Sequence, residues 1–388
     1  MNSCLSLCAC GCDNKSVEPE TEPVQTSSSA NDTTSVSTTQ SISTSDEADY
    51  YLRLNVNKLK QDSDVVEEKF NRIINEFKFK GTVYYKIGND FEYIGSNGFS
   101  NKDTHSYNSL NTDYYIGSFT KQFTSAAILL LQEEGKLSTS DTIDKYFPDY
   151  KYGSEITIRN LLTMTDGIPD YLNKKDELTK RNTPVCDIKK DNTAEENHSI
   201  ILNWIFSQEL ACDTDADYFY TNSGYYLLGD IIEKASGEKY EDYIRKNILE
   251  PLGMNSTEFE ETEFLATGYQ NVYDNEWTVY PGVAYSSAGL ISNTGDMLKW
   301  IDALCGEEFL STKSKEDLFT PYKSGYAYGV NVNDSGLYWN NSSIYRFNCS
   351  EYFNSDKSMI FLAFSNYAQA DIDTLKKEFD KVLQAYVI

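Results

Sequence analysis

A serine and a lysine one helical turn apart stand at the start of a predicted helix. The stretch IGSFTKQFTSAAILLLQEEGKL, residues 116–137, places Ser118 after a glycine and Lys121 three residues later on the same face. Unpaired N–H groups at a helix N-terminus favour a developing alkoxide, and a buried lysine can accept a serine proton. The pair is therefore a candidate nucleophile and base. The alternative is a helix cap beside a solvated lysine, and the same spacing recurs at Ser236 and Lys239.

The composition narrows the classes of function. The chain has 388 residues, a formal net charge of −26, 40% hydrophobic residues and 14% aromatic residues. A globular body with so acidic a surface repels nucleic acids and anionic lipid, so we expect no nucleic-acid partner. The two histidines, His105 and His198, are too few and too far apart in sequence to supply a metal-ligand set. We expect neither a metal nor an organic cofactor.

The first 49 residues differ in composition from the rest. Residues 1–12, within MNSCLSLCACGCDNK, resemble the end of a bacterial lipoprotein signal, with Cys10 or Cys12 as the lipidated residue. The basic start of such a signal is missing, and a metal-binding or meaningless cysteine cluster is the alternative. Residues 13–49 are predicted to be a disordered Ser/Thr-rich linker. We expect a protein that is secreted or held by a lipid anchor at the outer face of a bacterial membrane, which N-terminal mass spectrometry tests.

Apolar periodicity divides residues 50–388 into elements. It predicts a helix over 51–78, a hairpin over 81–98, a mainly helical region over about 118–302, an antiparallel meander over 326–365 and a helix over 371–386. These elements predict an α+β fold (an α/β sandwich), in which an antiparallel sheet is built from both chain ends. Terminal helices flank this sheet, and the helical region is an inserted subdomain. Cys186 and Cys212 either form a disulfide outside the cell or remain free thiols.

Six further blocks follow the serine and lysine in an order that resembles a known superfamily. They are EEGKLSTSDTIDKYFPDY (133–150), ITIRNLLTMTDGIPDY (156–171), YFYTNSGYYLLGDIIEKASG (218–237), ILEPLGMNSTEF (248–259), ATGY (266–269) and SSAGLISNTGDMLKWIDAL (286–304). The superfamily is that of serine β-lactamases and penicillin-binding proteins, and the class C-like branch, with its esterases and D-aminopeptidases, is most similar. The resemblance covers residues 79–388. It implies a β-lactamase/transpeptidase-like fold and an acyl-enzyme mechanism at Ser118.

The same resemblance assigns the second motif, Tyr-x-Asn. This pattern occurs six times in the chain, but only Tyr220-Thr221-Asn222 lies in the matching block. By the resemblance, Tyr220 shuttles a proton, as base toward Ser118 or as acid toward the leaving group. Asn222 binds the substrate amide and helps to orient Lys121. The alternative is that Tyr220 is a buried packing aromatic.

The third motif departs from the family pattern. In the matching stretch, Asn340 replaces a histidine and Ser342 replaces a glycine, and both are expected to bind substrate. The family's third motif can also read Lys-Ser-Gly. Residues Lys323-Ser324-Gly325 match this form, but they lie one predicted strand too early, and we interpret them as a chance match. Main-chain N–H groups, one from Ser118 and one from residues 342–344, are the expected oxyanion donors. Because Asn340 carries no charge, the motif puts recognition of a substrate carboxylate in doubt.

The sequence therefore predicts a surface-anchored serine hydrolase that cleaves an ester or amide through Ser118, Lys121 and Tyr220. We favour an esterase or a D-stereospecific peptidase over an efficient β-lactamase. The expected substrate is a small molecule or a peptide, such as a cell-wall fragment, and the expected state is a monomer. The alternative from another class is a binding or sensor module that keeps the fold but has lost turnover.

Overall fold

The computed structural model describes residues 54, 56–172, 183–184, 188–189, 191–270, 280 and 282–387. The predicted signal and linker lie outside these residues, and so does Cys186. Cys212 has a free thiol. No helix within these ranges is long and apolar enough to cross a membrane.

Within the part of the chain that the structure describes, ten strands form one large antiparallel sheet and two small pairs. They are β1 (Gly81–Ile87), β2 (Phe91–Asn97), β3 (Phe99–Asn101), β4 (Ser106–Tyr107), β5 (Tyr114–Tyr115), β6 (Ile291–Ser292), β7 (Asn331–Val332), β8 (Tyr338–Ile344), β9 (Phe347–Phe353) and β10 (Met359–Ser365). The large sheet has the order β2-β1-β10-β9-β8-β7, while β3 pairs with β4 and β5 with β6. Gly81 pairs with Ser365 in the β1–β10 ladder. The sheet is therefore built from both chain ends, as predicted.

The predicted strand over residues 326–332 is wrong. Only β7 belongs to a strand there, because Gly329, in the middle of the predicted strand, adopts a φ angle of 83°. Gly329 lies against the main chain of residues 121–122, where an added Cβ would come within 2.8 Å of backbone atoms. A continuous strand cannot pass through a residue in this left-handed conformation.

Eleven α-helices surround the sheet in the described residues. They are α1 (Val56–Gln61), α2 (Ser63–Glu76), α3 (Thr120–Glu133), α4 (Ile158–Leu162), α5 (Ala194–Ser207), α6 (Asn222–Ser236), α7 (Tyr240–Ile244), α8 (Tyr285–Ala288), α9 (Thr294–Cys305), α10 (Thr312–Phe319) and α11 (Ile372–Leu383). The terminal helices α1, α2 and α11 cover one face of the sheet. There Phe70 of α2 stacks on Phe379 of α11, with ring centroids 4.1 Å apart.

The inserted helices pack on the opposite face of the sheet. Helix α3 is the centre of this layer, because every residue from Thr120 to Leu129 is buried. Phe123 of α3 stacks on Trp300 of α9 with centroids 4.0 Å apart. A helix that is buried on all sides holds its side chains in fixed positions. The predicted α+β fold class is confirmed, and α3 is the element that positions the candidate nucleophile.

Candidate active site

Ser118 lies in a tight turn that leads directly into α3. The β5–β6 pair ends just before this turn, where the Ile116 N–H donates to the Leu290 carbonyl at 3.0 Å. Gly117 then adopts a φ of 53°, a conformation that glycine takes without steric cost. A short 3₁₀ turn over Gly117–Phe119 follows and continues as α3. The turn leaves Ser118 half-buried at the helix N-terminus, where positive potential favours an alkoxide.

Lys121 is buried one turn below the serine, with 1% of its surface exposed. Its Nζ lies 3.1 Å from Ser118 Oγ, 2.8 Å from Asn222 Oδ1 and 2.8 Å from the Ser287 carbonyl oxygen. Among the ion pairs of the described residues, none joins a carboxylate to this amine. The alternative of a solvated lysine beside a capping serine does not agree with these contacts.

The three contacts of Lys121 suit both of its protonation states. Asn222 Oδ1 and the Ser287 carbonyl only accept hydrogen bonds, so they take two of the amine hydrogens. In the neutral amine, the lone pair then points to Ser118 Oγ and can accept its proton. In the ammonium form, a third hydrogen points to the same oxygen. Proton transfer therefore requires no rearrangement of the lysine, which is the property of a preorganised base.

Asp170 holds Asn222 in the required orientation, a role that our sequence analysis did not predict. Both the main-chain N–H and Nδ2 of Asn222 donate to Asp170 Oδ1, at 2.8 and 2.9 Å. Because the amide nitrogen is engaged there, its oxygen must face Lys121. Ser287 of α8 is a second unpredicted member, since it acts through its main-chain carbonyl. Both residues lie in blocks that resemble the family, but only the structure shows what they contact.

Tyr220 faces the nucleophile from the segment that precedes α6. Its hydroxyl lies 2.7 Å from Ser118 Oγ, and its ring centroid lies 5.1 Å from Lys121 Nζ. The side chain is 39% exposed, so it is not a buried packing aromatic. Met164 supports this segment: its carbonyl accepts the Phe219 N–H at 2.8 Å. Ser118, Lys121 and Tyr220 thus form one hydrogen-bonded chain, open to solvent at the tyrosine.

Strand β8 brings the altered third motif to the same site. Asn340, Ser342 and Ile344 are buried on one face of the strand. Ser342 Oγ accepts a hydrogen bond from the Ser118 main-chain N–H at 2.7 Å. Asn340 Nδ2 donates to the Gly329 carbonyl at 3.2 Å. Asn340 therefore uses one of its donors within the protein and brings no charge to the site.

The hairpin that follows β8 identifies a second main-chain donor. Residues 345 and 346 are a two-residue turn with φ angles of 48° and 71°, and Ile344 pairs with Phe347. Residues that flank such a turn exchange both of their backbone hydrogen bonds, and the pattern alternates along the strand. We infer that the Ser343 N–H points to the free edge of β8, beside the Ser118 turn. Of residues 342–344, where we expected the second oxyanion donor, we therefore infer that Ser343 supplies it.

The other sequence candidates have different surroundings. Lys323 forms an ion pair with Asp215 Oδ1 at 3.2 Å, within the turn that precedes β7. Lys239 has a side chain that is 75% exposed, and its Nζ lies 3.9 Å from Glu233. His198 lies between Asp230 and the Tyr226 hydroxyl, at 3.0 and 2.9 Å. Within the described residues, the side chains that form hydrogen bonds with Ser118 are those of Lys121, Tyr220 and Ser342 and none of these groups, which agrees with the interpretation of residues 323–325 as a chance match.

A buried carboxyl lies beside Asn340 in the sheet. Glu351 of β9 pairs with Asn340 across the ladder, and its side chain is fully buried. Gln122 Nε2 donates to Glu351 Oε1, while Oε2 is buried without a hydrogen-bond partner. Burial raises the pKa of Glu351 to about 8, against a smaller lowering by the Gln122 hydrogen bond. At neutral pH this carboxyl is mainly protonated and adds little charge to the third motif.

We expect Glu351→Gln to stabilise the protein more at pH 8 than at pH 5. The folded state keeps a proton that the unfolded chain releases above a pKa of 4.5. The free energy of unfolding therefore falls as the pH rises from about 4.5 to 8, and glutamine removes this loss. The difference between variant and wild type should grow by about 2–4 kcal/mol between pH 5 and pH 8. Urea unfolding at both pH values measures it.

Glu263→Gln, at an exposed residue, is the control. Its stability difference from the wild type should be the same at pH 5 and pH 8. Asp166, whose pKa burial raises to about 7, adds a similar slope in every variant, so only the difference between variants isolates Glu351. An equal stability difference at the two pH values would show that Glu351 is ionised in the folded protein.

The fold and the site together define a serine hydrolase of the β-lactamase and penicillin-binding-protein type. An antiparallel sheet from both chain ends carries the third motif, and the buried α3 carries the serine and lysine. The chain belongs to the β-lactamase family, because the family described as Beta-lactamase matches residues 79–383.

Individual relatives agree with this assignment. The chain is 33% identical over 309 residues to the Bacillus subtilis (strain 168) protein named "Putative penicillin-binding protein PbpX", covering 77% of this chain and 73% of that protein. A penicillin binding protein from Bacillus halodurans has a similar structure, with a TM-score of 0.68, 25% identity and coverage of 81% and 98%. The D-amino acid amidase of Ochrobactrum anthropi SV3 has a TM-score of 0.68, 20% identity and coverage of 83% and 97%. This last likeness concerns the fold alone.

Proposed function

We propose that the protein hydrolyses esters or amides through an acyl-enzyme on Ser118. The observation that carries this proposal is the position of Ser118 Oγ, 3.1 Å from Lys121 Nζ and 2.7 Å from the Tyr220 hydroxyl. A serine hydroxyl becomes nucleophilic only when a neighbouring group accepts its proton, and both candidates lie within hydrogen-bond distance.

The contacts support a two-step reaction. Ser118 Oγ attacks the substrate carbonyl while its proton passes to Lys121 or Tyr220. The N–H groups of Ser118 and Ser343 stabilise the oxyanion of the tetrahedral intermediate. Its collapse breaks the bond to the leaving group, which takes a proton from Tyr220. Water then attacks the acyl carbonyl and returns a proton to the same groups, which frees Ser118.

Substrates without a carboxylate fit the third motif best. Asn340 is neutral and donates to Gly329, while Lys323 is already paired with Asp215. A carboxylate placed beside Asn340 would therefore gain a hydrogen bond but no ion pair. Hydrogen bonds to charged partners contribute about 1.5–3 kcal/mol against about 0.5–1.5 kcal/mol for neutral ones. These contacts favour an esterase or a D-stereospecific peptidase over an efficient β-lactamase.

We expect hydrolysis of short p-nitrophenyl esters and poor turnover of nitrocefin. The missing ion pair should raise the acylation barrier of carboxylate-bearing substrates by about 1–2 kcal/mol, or about five- to thirtyfold in rate. The double variant Asn340→His with Ser342→Gly should shift the ratio of kcat/KM toward nitrocefin. A panel of p-nitrophenyl esters, nitrocefin and D-Ala-D-Ala peptides measures this ratio.

The matched control is Asn341→His, which makes the same substitution one residue along the strand. The Asn341 side chain bonds to Asp373 of α11 on the opposite face of the sheet, so the ratio should not change. Fast nitrocefin hydrolysis by the unmodified protein would contradict the proposed preference and would require a cation from another part of the chain.

The rival proposal is a binding or sensor module that has lost turnover. A fluorescent penicillin or a serine-reactive fluorophosphonate labels Ser118 in either case, but only an enzyme releases the acyl group of a substrate. We also propose that a lipid on Cys10 or Cys12 attaches the protein to the extracellular face of the bacterial cell membrane. This attachment does not depend on whether the protein is an enzyme or a sensor. A cell-wall peptide as the natural substrate is likewise a proposal.

A further inference from the structure

The Ser342 hydroxyl occupies a position that the proposed reaction requires. Ser342 Oγ accepts the Ser118 N–H at 2.7 Å. This N–H belongs to the turn that opens α3, where a backbone donor has no partner within the helix. It is also the donor that should bind the carbonyl oxygen once Ser118 attacks. In the free protein, the Ser342 hydroxyl oxygen already accepts the hydrogen bond that the substrate carbonyl oxygen should accept.

The Ser342 hydroxyl packs closely against the turn that carries Ser118. Ser342 is 7% exposed. A Cβ added to Gly117 would lie 2.2 Å from Ser342 Oγ and 3.1 Å from Ile344 Cγ2, so the hydroxyl packs against the main chain beside the nucleophile. An oxyanion must lie about 2.7–3.1 Å from its donors. A substrate oxygen in line with the Ser118 N–H at that distance would overlap the Ser342 hydroxyl, which already accepts this hydrogen.

We propose that Ser342 is a gate on the oxyanion site, which the substrate carbonyl oxygen must displace. The inference rests on the proposed function, in which Ser118 is the nucleophile. Rotation of the Ser342 side chain to another staggered position would free the N–H. The rotation breaks one hydrogen bond, which should slow acylation by about three- to tenfold. Ser342 is thus a specificity-determining residue that favours acyl groups held firmly by other contacts.

The opposite role for the same hydroxyl makes a different prediction. A serine O–H can also donate a hydrogen bond, so Ser342 could in principle bind the oxyanion as a third donor. Loss of the hydroxyl would then slow acylation instead of accelerating it. The sign of the effect of Ser342→Ala therefore separates a gate from a donor.

Two measurements on the full chain test the gate. The first is the second-order rate of labelling by a fluorophosphonate, in which a Ser118 Oγ–P bond forms and fluoride leaves. The second is the inhibition constant of phenylboronic acid, which forms a reversible tetrahedral adduct with a serine and needs no turnover. Ser342→Ala and Ser342→Gly should both increase the labelling rate and tighten phenylboronic acid binding by about three- to tenfold.

Ser350→Ala is the matched control for loosening of the sheet. Ser350 is also a buried serine, but it lies on the adjacent strand and its hydroxyl bonds to Asn341. This variant should leave both measurements unchanged. Glycine also removes the Cβ, so agreement between the alanine and glycine variants would assign the effect to the hydroxyl.

The outcomes separate the gate from the proposed function. Labelling and ester hydrolysis by the wild type, with slower or equal rates in Ser342→Ala, would overturn the gate but leave the proposed function intact. Absence of labelling and of boronate binding in wild type and variants alike would overturn both. Faster labelling in Ser342→Ala and Ser350→Ala together would indicate a looser sheet and would also overturn the gate.

Discussion

Lys121→Ala should abolish acylation of Ser118, with a loss of about a thousandfold or more in the labelling rate. The amine is the buried group that contacts Ser118 Oγ, Asn222 Oδ1 and the Ser287 carbonyl together. Alanine removes the proton acceptor and leaves two buried oxygens without their donor. The free energy of unfolding should fall by only about 1–3 kcal/mol, so the variant should remain folded.

Two further variants make this result specific. Lys239→Ala removes the lysine of the second Ser-x-x-Lys sequence, which is exposed, and should leave labelling intact. Lys121→Arg keeps a positive charge but cannot release a proton at neutral pH, so it should also be inactive. Substantial activity in the arginine variant would show that the lysine acts by charge alone. Label on Ser236 instead of Ser118 would refute the assignment of the nucleophile.

Tyr220→Phe should lower kcat/KM for alkyl esters and amides by about a hundredfold or more. The tyrosine hydroxyl lies 2.7 Å from Ser118 Oγ and is the exposed end of the hydrogen-bonded chain, where a leaving group would depart. Alkoxide and amide leaving groups need a proton, whereas p-nitrophenolate does not. The loss should therefore be smaller for p-nitrophenyl esters than for alkyl esters of the same acid.

Tyr218→Phe is the matched control, because Tyr218 lies two residues earlier and its ring packs against Tyr326 at 5.5 Å. It should leave both ester classes unaffected. Equal losses for p-nitrophenyl and alkyl esters in Tyr220→Phe would assign the tyrosine to activation of Ser118 rather than to protonation of the leaving group. An unchanged rate for both would exclude a catalytic role for its hydroxyl.

The sequence by itself determined the class of fold and the first two motifs. Helix periodicity placed Ser118 and Lys121 one turn apart, and this contact depends only on local geometry. Short apolar and aromatic stretches predicted β1, β2 and β10, whose pairing joins the two chain ends. The order of the blocks selected Tyr220 from six Tyr-x-Asn sequences. Such features can be predicted from the sequence because each follows from local periodicity or from a pattern of several residues.

The tertiary structure alone decided how the site is held and how the oxyanion position is filled. Asp170 and Ser287 fix Asn222 and Lys121 through contacts that no local pattern encodes. Ser342 meets the Ser118 N–H across 224 residues of sequence. Gly329 breaks a predicted strand because the main chain of α3 lies against it. Spacing along a chain fixes which side chains share a helix or strand face, but packing of distant segments fixes which groups they touch.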